Sequence, residues 1–209
     1  MLSSVGKPFN ATLCEKMNIG IYLYNEAEVL DFSGPFEVFS TASRICENDN
    51  PFTTFLISED GKTIHARGGY SINPAYRFHD VPKLDVLIVV GGVHTQEIKK
   101  ANVLDWVRKI SANATAIASV CTGVFLLAEA GVVTNHAVTT HWEDIHDLKA
   151  DYPNLKIAKS KRWVIDGNII TSAGISAGID MSLYLISILY SKMLAEKTAK
   201  QMGYRWVKN

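Results

Sequence analysis

Two runs, Asp85–Gly92 (DVLIVVGG) and Ala114–Gly123 (ATAIASVCTG), constrain the fold of this chain more than any other feature. Each is continuously apolar rather than alternating, which requires burial on both faces, and each closes on small residues that permit an abrupt turn. A strand buried on both faces needs cover above and below. The rest of the chain supplies it, because short β-branched runs alternate with longer amphipathic segments. The expected fold is α/β: a three-layer α/β/α sandwich with a mostly parallel central sheet.

Element by element, Asn18–Tyr24 (NIGIYLY) is the first strand. A connection carrying Asp31 follows, and Gly34, Pro35 and Glu37 match the N-cap, first-turn proline and N3 acid of a helix ending near Arg44. Phe52–Ser58 is a second strand, and Lys62–Tyr76 has the turn residues of a hairpin excursion. Val103–Asn113 is helical by the spacing of Leu104, Val107 and Ile110. Thr122–Gly131 is a helix with a glycine stop, Ala137–Thr140 a short strand, and Glu143–Lys149 a helical turn or two. Asp166-Gly167 between Arg162–Ile165 and Asn168–Thr171 signals a hairpin. Ser172–Gly178 (SAGISAG) leads into an apolar helix through Tyr190, and Ser191–Met202 forms a terminal helix.

Composition narrows the function classes. With 209 residues, 47% apolar and 20% charged, the chain has ample core, and the lack of any linker favours one domain over 17–209 behind an N-terminal extension, 1–16. Lys plus Arg and Asp plus Glu both total 21, so there is no basic excess for nucleic-acid binding. No apolar run approaches the roughly 20 residues that cross a bilayer, so no membrane span is expected. Cys14, Cys46 and Cys121 are odd in number and widely spaced, which fits neither a disulfide scaffold nor a zinc site. A cytoplasmic location follows from that, and from the absence of a secretory signal in the first sixteen residues.

In an open parallel sheet, sites form beyond the carboxyl ends of the strands. Asp31, Gly91, Gly92 and Cys121 all leave strands there. Ser119-Val120-Cys121-Thr122-Gly123 is an S-x-C-x-G relative of the nucleophile elbow, with small residues where bulky ones would clash in the sharp turn. A helix N-terminus favours thiolate, so a reactive thiolate is expected at Cys121. Cys14 and Cys46 lack that context and read as structural or incidental. Gly91 and Gly92 turn the chain, and their backbone N–H groups could form an oxyanion-type hole with that of Thr122. Gly174, Ser176, Gly178 and Asp180 lack both G-x-G-x-x-G and a P-loop lysine, which favours close helix packing over phosphate binding. His141 and His146 would sit about 140° apart on a helix, with no third ligand, so no metal is expected.

LDFSGPFEVF (Leu30 to Phe39), VVGG (Val89 to Gly92), SVCTGVFLLAEAG (Ser119 to Gly131), TTHW (Thr139 to Trp142) and DGNIITSAGISAGID (Asp166 to Asp180) resemble the ThiJ/PfpI superfamily. The resemblance implies the class I glutamine amidotransferase-like, flavodoxin-like fold. Within the superfamily, the likeness is strongest to the isonitrile hydratase branch and to the amidotransferase-like sensor domains of AraC-type regulators. It implies Cys121 as nucleophile, Thr122 as its polar neighbour and Asp31 as the carboxylate beside the thiol. The protease branch has His after the cysteine where this chain has Thr122, which speaks against peptidase activity. The stress-sensor branch usually has Glu where Asp31 stands, and the shorter acid leans toward the hydratase side.

His141 is a rival base and otherwise shapes a substrate pocket with Trp142, Gly91 and Gly92. The implied reaction is cofactor-free addition of water to a small-molecule isonitrile, through a thioimidate on Cys121, to give an N-substituted formamide. Two alternatives are a redox or carbonyl-stress protein using the same cysteine, and a non-catalytic ligand-sensing domain. Against the second, the chain stops at Asn209 with no room for a helix-turn-helix region. The resemblance also implies a homodimer with the site near the subunit boundary.

Overall fold

Strand β1 (Met17–Tyr22) buries its last four residues, and the chain then enters α1 (Val29–Ile45). The computed structural model describes residues 16–47 and 49–208. Cys14 and the expected N-terminal extension, apart from Lys16, lie outside them. Helix α1 starts at Val29 rather than at Gly34 as the proline signal indicated. Burial of Asp31, Phe32, Pro35, Val38, Phe39 and Ala42 recurs at helical spacing, so the buried face extends back through the expected loop. Pro35 lies inside the helix and has no N–H to offer the carbonyl four residues earlier, that of Asp31. The consequence for function is that Asp31 sits in the first turn of a helix.

After β2 (Phe52–Ser58) the expected hairpin excursion is present, with β3 (Ile64–His65) antiparallel to β4 (Ser71–Ile72). Then come β5 (Tyr76–Arg77), β6 (Val86–Val89), α2 (Ala101–Ser111), β7 (Ala116–Val120) and α3 (Gly123–Glu129). The remainder is β8 (Ala137–Val138), α4 (Ile145–Asp151), β9 (Lys156–Ile157), β10 (Trp163–Asp166), β11 (Ile169–Ser172), α5 (Ala177–Leu189) and α6 (Lys192–Gln201).

Seven strands form one sheet in the order β10-β11-β7-β6-β1-β2-β5. Every pair is parallel except the β10–β11 hairpin. Helices α1, α5 and α6 pack together, as do α2 and α3, and the two groups cover the sheet. Strands β6 and β7 are buried throughout, which is why their sequences carry no polar alternation. Each such buried aliphatic side chain contributes about 1.5–3 kcal/mol, so the centre of the sheet is the firmest part of the fold. Among the described residues no helix is long and apolar enough to cross a membrane.

Candidate active site

Between the end of β7 at Val120 and the start of α3 at Gly123, the chain turns within two residues. Cys121 takes up the turn with φ of 55°, a left-handed conformation that costs an L-residue roughly 1–2 kcal/mol. The surroundings hold it there. Its N–H donates to the Ser172 carbonyl at 3.2 Å, and its own carbonyl accepts from Thr140 Oγ1 at 2.9 Å. At Gly123 a Cβ would lie 2.2 Å from the Val89 carbonyl oxygen, so glycine is required for the helix to leave the elbow.

Asp31 is fully buried behind this turn. Its Oδ2 accepts from the Gly91 N–H at 3.0 Å, while Oδ1 has no partner of ordinary hydrogen-bond geometry. The Cys121 side chain lies close enough to the carboxylate to act on its protonation. Gly91 makes this approach possible, because a Cβ there would sit 2.6 Å from the Thr122 nitrogen, 2.8 Å from Asp31 Oδ2 and 2.8 Å from Cys121 Cβ. Burial, with a smaller contribution from Glu28, pushes Asp31 up to about 7, against the opposing pull of the Gly91 N–H, Arg67 and the thiol.

The Cys121 thiol is also pushed up, first by burial and then by the Asp31 charge; the N–H groups of Thr122 and Ile175 pull the other way. This reverses the expectation of a thiolate stabilised by a helix N-terminus. Helix α3 has only 7 residues, and its amides do not outweigh an apolar setting beside a carboxylate.

The expected oxyanion hole is also rearranged. The Gly91 N–H is committed to Asp31, and the Gly92 N–H donates to Thr122 Oγ1 at 3.0 Å, with the same hydroxyl 3.1 Å from the Gly92 carbonyl. Gly92 has φ of 142°, and a Cβ there would meet the Glu26 carbonyl oxygen at 2.3 Å, so its glycine identity serves close chain approach. The backbone donors that face the sulfur are those of Thr122 and Ile175.

In front of Cys121 opens a cavity of about 410 Å³, lined by Gly92, Thr122, His141, Trp142, Ile175 and charged residues at its mouth. Gly91 and Asp31 stand behind this lining. Arg67 pairs with Glu28 at 3.1 Å, and His141 Nδ1 lies 3.4 Å from Asp144 Oδ2 and 3.7 Å from Glu143. Among the described residues His141 makes no hydrogen bond to Cys121 or Asp31. The Cδ2 edge of its ring abuts Gly174, where a Cβ would fall 1.9 Å from His141 Cδ2. Trp142 is 71% exposed at the rim. His146 points away, beside Asp147 at 3.4 Å, and no three His, Cys, Asp or Glu side chains among the described residues are grouped to hold a metal ion. Cys46 is remote, with its sulfur 3.3 Å from the Tyr190 hydroxyl.

Residues 17–188 match the DJ-1/PfpI family. The chain belongs to it. Among its relatives, an isonitrile hydratase of Pseudomonas putida is 33% identical over 190 residues, covering 90% of this chain and 78% of that protein. The HTH-type transcriptional regulator CdhR of Pseudomonas aeruginosa is 31% identical over 173 residues, 83% of this chain but 51% of the regulator, so the chain spans about half the length of that relative. A ThiJ/PfpI family protein from Pseudomonas syringae superposes with a TM-score of 0.82 at 25% identity, over 100% of this chain and 84% of that one. Drosophila melanogaster DJ-1beta superposes at 0.79 and 21% identity, over 92% and 100%, which speaks to fold alone.

Two residues at the site of this DJ-1/PfpI chain escape sequence reasoning. Ile175 adopts φ of 53° and brings its N–H to the sulfur. A β-branched residue flanked by small ones in SAGISAG is the available signal, but the small residues by themselves indicate helix packing. That reading holds for Gly178, whose Cβ would sit 3.0 Å from Val120 Cγ1. Tyr24 is the other. Its buried hydroxyl has no partner of ordinary geometry and lies close enough to Thr122, Asp31 and Cys121 to feel each of them. Nothing in NIGIYLY separates it from an ordinary core aromatic.

Proposed function

We propose that this protein is a cysteine-dependent hydratase that adds water to an isonitrile and releases an N-substituted formamide, using only its own side chains. The observation that carries the reading is the buried Cys121–Asp31 pair, side by side across Gly91, with the acid held near neutrality. Identity to the Pseudomonas putida isonitrile hydratase supports the choice of substrate.

Asp31 takes the thiol proton as Cys121 sulfur attacks the terminal isonitrile carbon, and passes that proton to the same carbon, leaving a thioimidate, R–N=CH–S. Water then adds to this carbon. One of its protons passes through Asp31 to the nitrogen, giving R–NH–CH(OH)–S. Collapse forms the carbonyl, breaks the carbon–sulfur bond and returns the hydroxyl proton through Asp31 to the thiolate. The N–H groups of Thr122 and Ile175 hold the negative charge that sulfur carries before that bond forms and regains as it breaks.

Incubation of the purified protein with cyclohexyl isocyanide should yield N-cyclohexylformamide, and Cys121→Ala and Asp31→Ala should each reduce turnover by about 10³-fold or more. Absence of formamide from the wild type overturns the substrate assignment, and full turnover by Cys121→Ala overturns the nucleophile. The redox alternative predicts sulfinic acid at Cys121 after mild peroxide and no formamide from cyclohexyl isocyanide. A ligand-sensing role keeps one observation in its favour, the identity to CdhR. It predicts isocyanide binding without formamide.

A further inference from the structure

A second concavity lies at the sheet's edge, between β10, α5, α6 and the C-terminal tail, and the hydratase reading makes no use of it. It encloses about 740 Å³, more than the cavity over Cys121 and within the range that holds small organic ligands. Its walls are aromatic and aliphatic: Trp163 and Tyr184, with ring centroids 5.8 Å apart, Trp206, and Ile165, which is 42% exposed on an edge strand. An apolar residue displayed on an edge strand is a liability unless something covers it.

The polar groups of the rim share one sign. Lys161, Lys192 and Lys208 line the groove and, among the described residues, no carboxylate side chain does. Lys208 is engaged by Glu196 at 3.1 Å and lies over the Trp206 ring at 4.7 Å. Lys161 and Lys192 make no ion pair among the described residues. The wall is also fixed in place, since Trp206 Nε1 donates to the Asp180 carbonyl at 3.2 Å and the Val207 N–H to Asp180 Oδ1 at 2.8 Å.

We infer that this groove binds a small amphipathic anion, an aliphatic or aromatic carboxylate whose body lies against Trp163, Ile165, Tyr184 and Trp206 while its charge meets Lys161 and Lys192. A neutral ligand would gain nothing from the two exposed ammonium groups, and a cation would be repelled. A symmetric second copy is disfavoured by the same charges, because a two-fold contact through this patch would set lysines against lysines.

The test is titration of the full chain with decanoate, followed by tryptophan fluorescence and calorimetry, with decanol and decyltrimethylammonium as neutral and cationic comparators. Decanoate should bind one site at least about tenfold tighter than either comparator, equally well in Cys121→Ala. Lys161→Gln with Lys192→Gln, and separately Ile165→Glu, should each weaken it by about tenfold or more while melting temperatures stay near wild type. Equal affinity for decanol, undiminished binding in both variants, or no saturable binding up to millimolar decanoate overturns the proposal. So does a dimer, seen by sedimentation, that dissociates in Ile165→Glu.

Discussion

Asp31 is a carboxyl group placed where solvent does not reach and only one backbone donor answers it. Its folded-state value of about 7 lies above its ordinary 3.8, so between these limits the folded chain binds more protons than the unfolded chain. The stability attached to Asp31 is therefore fully present below about pH 4 and is lost as pH rises through about 7. Asp31→Asn removes the charge but keeps the shape and an acceptor for the Gly91 N–H. This variant should melt higher than wild type at pH 8, by an amount equivalent to a few kcal/mol at most, and the two melting curves should converge near pH 4. A difference constant across that range would show that the buried charge is not the cause. Loss of turnover in the same variant would make Asp31 a case of stability given up for function. The types Cys121, Asp31 and Thr122 were legible in the sequence. The direction of the thiol's shift was not, because it depends on burial and on a carboxylate that approaches from another element.

The elbow is built from three segments that meet only in the fold: the end of β6, the end of β7 and the first turn of α1. The β7 part was legible because the steric rule for S-x-C-x-G is local. The start of α1 was not, since Pro35 gives the same signal at a helix's first turn as within it, and only burial of Phe32 and Asp31 decides between them. Gly91 was legible as a turn but not as the spacer that lets thiol and acid touch. Gly91→Ala should place a methyl carbon against Thr122 N, Asp31 Oδ2 and Cys121 Cβ at once, costing about 1–3 kcal/mol and most of the activity. Urea denaturation together with the formamide assay checks this. A variant with wild-type midpoint and turnover would mean that the spacing is not needed.

Across the whole molecule the sandwich was readable from its buried runs, and the sheet order was not, because no local pattern says which buried strand neighbours which. Nor was the anchoring of the C-terminal tail. Asp180, fully buried on α5, accepts from Arg162 Nε at 2.6 Å, the Tyr204 hydroxyl at 3.1 Å and the Val207 N–H at 2.8 Å. These partners stand 18, 24 and 27 residues away in sequence, beyond the reach of a motif. The first turn of helix α5 thereby joins two regions: Gly178 packs on Val120 beside the elbow, and Asp180 holds the tail that walls the edge groove. Asp180→Ala should cost about 2–4 kcal/mol and expose the Arg205 peptide bond to trypsin. The lower part of that range applies to the extent that Arg162, one third exposed, recovers its hydration. Trypsin resistance equal to wild type would contradict this anchoring role.

The claim on which the catalytic account turns is that Cys121 reacts through a proton held jointly with Asp31, and the pH dependence of its alkylation tests that most directly. Iodoacetamide labelling of the Cys121 peptide, followed by mass spectrometry, should rise through an apparent pKa near 7 in the wild type, the value at which Asp31 becomes able to accept the thiol proton. In Asp31→Asn that step should disappear, leaving slow labelling that rises only above the ordinary thiol range. A wild-type profile centred on an ordinary thiol, about 8.5, and unchanged by Asp31→Asn would contradict the account.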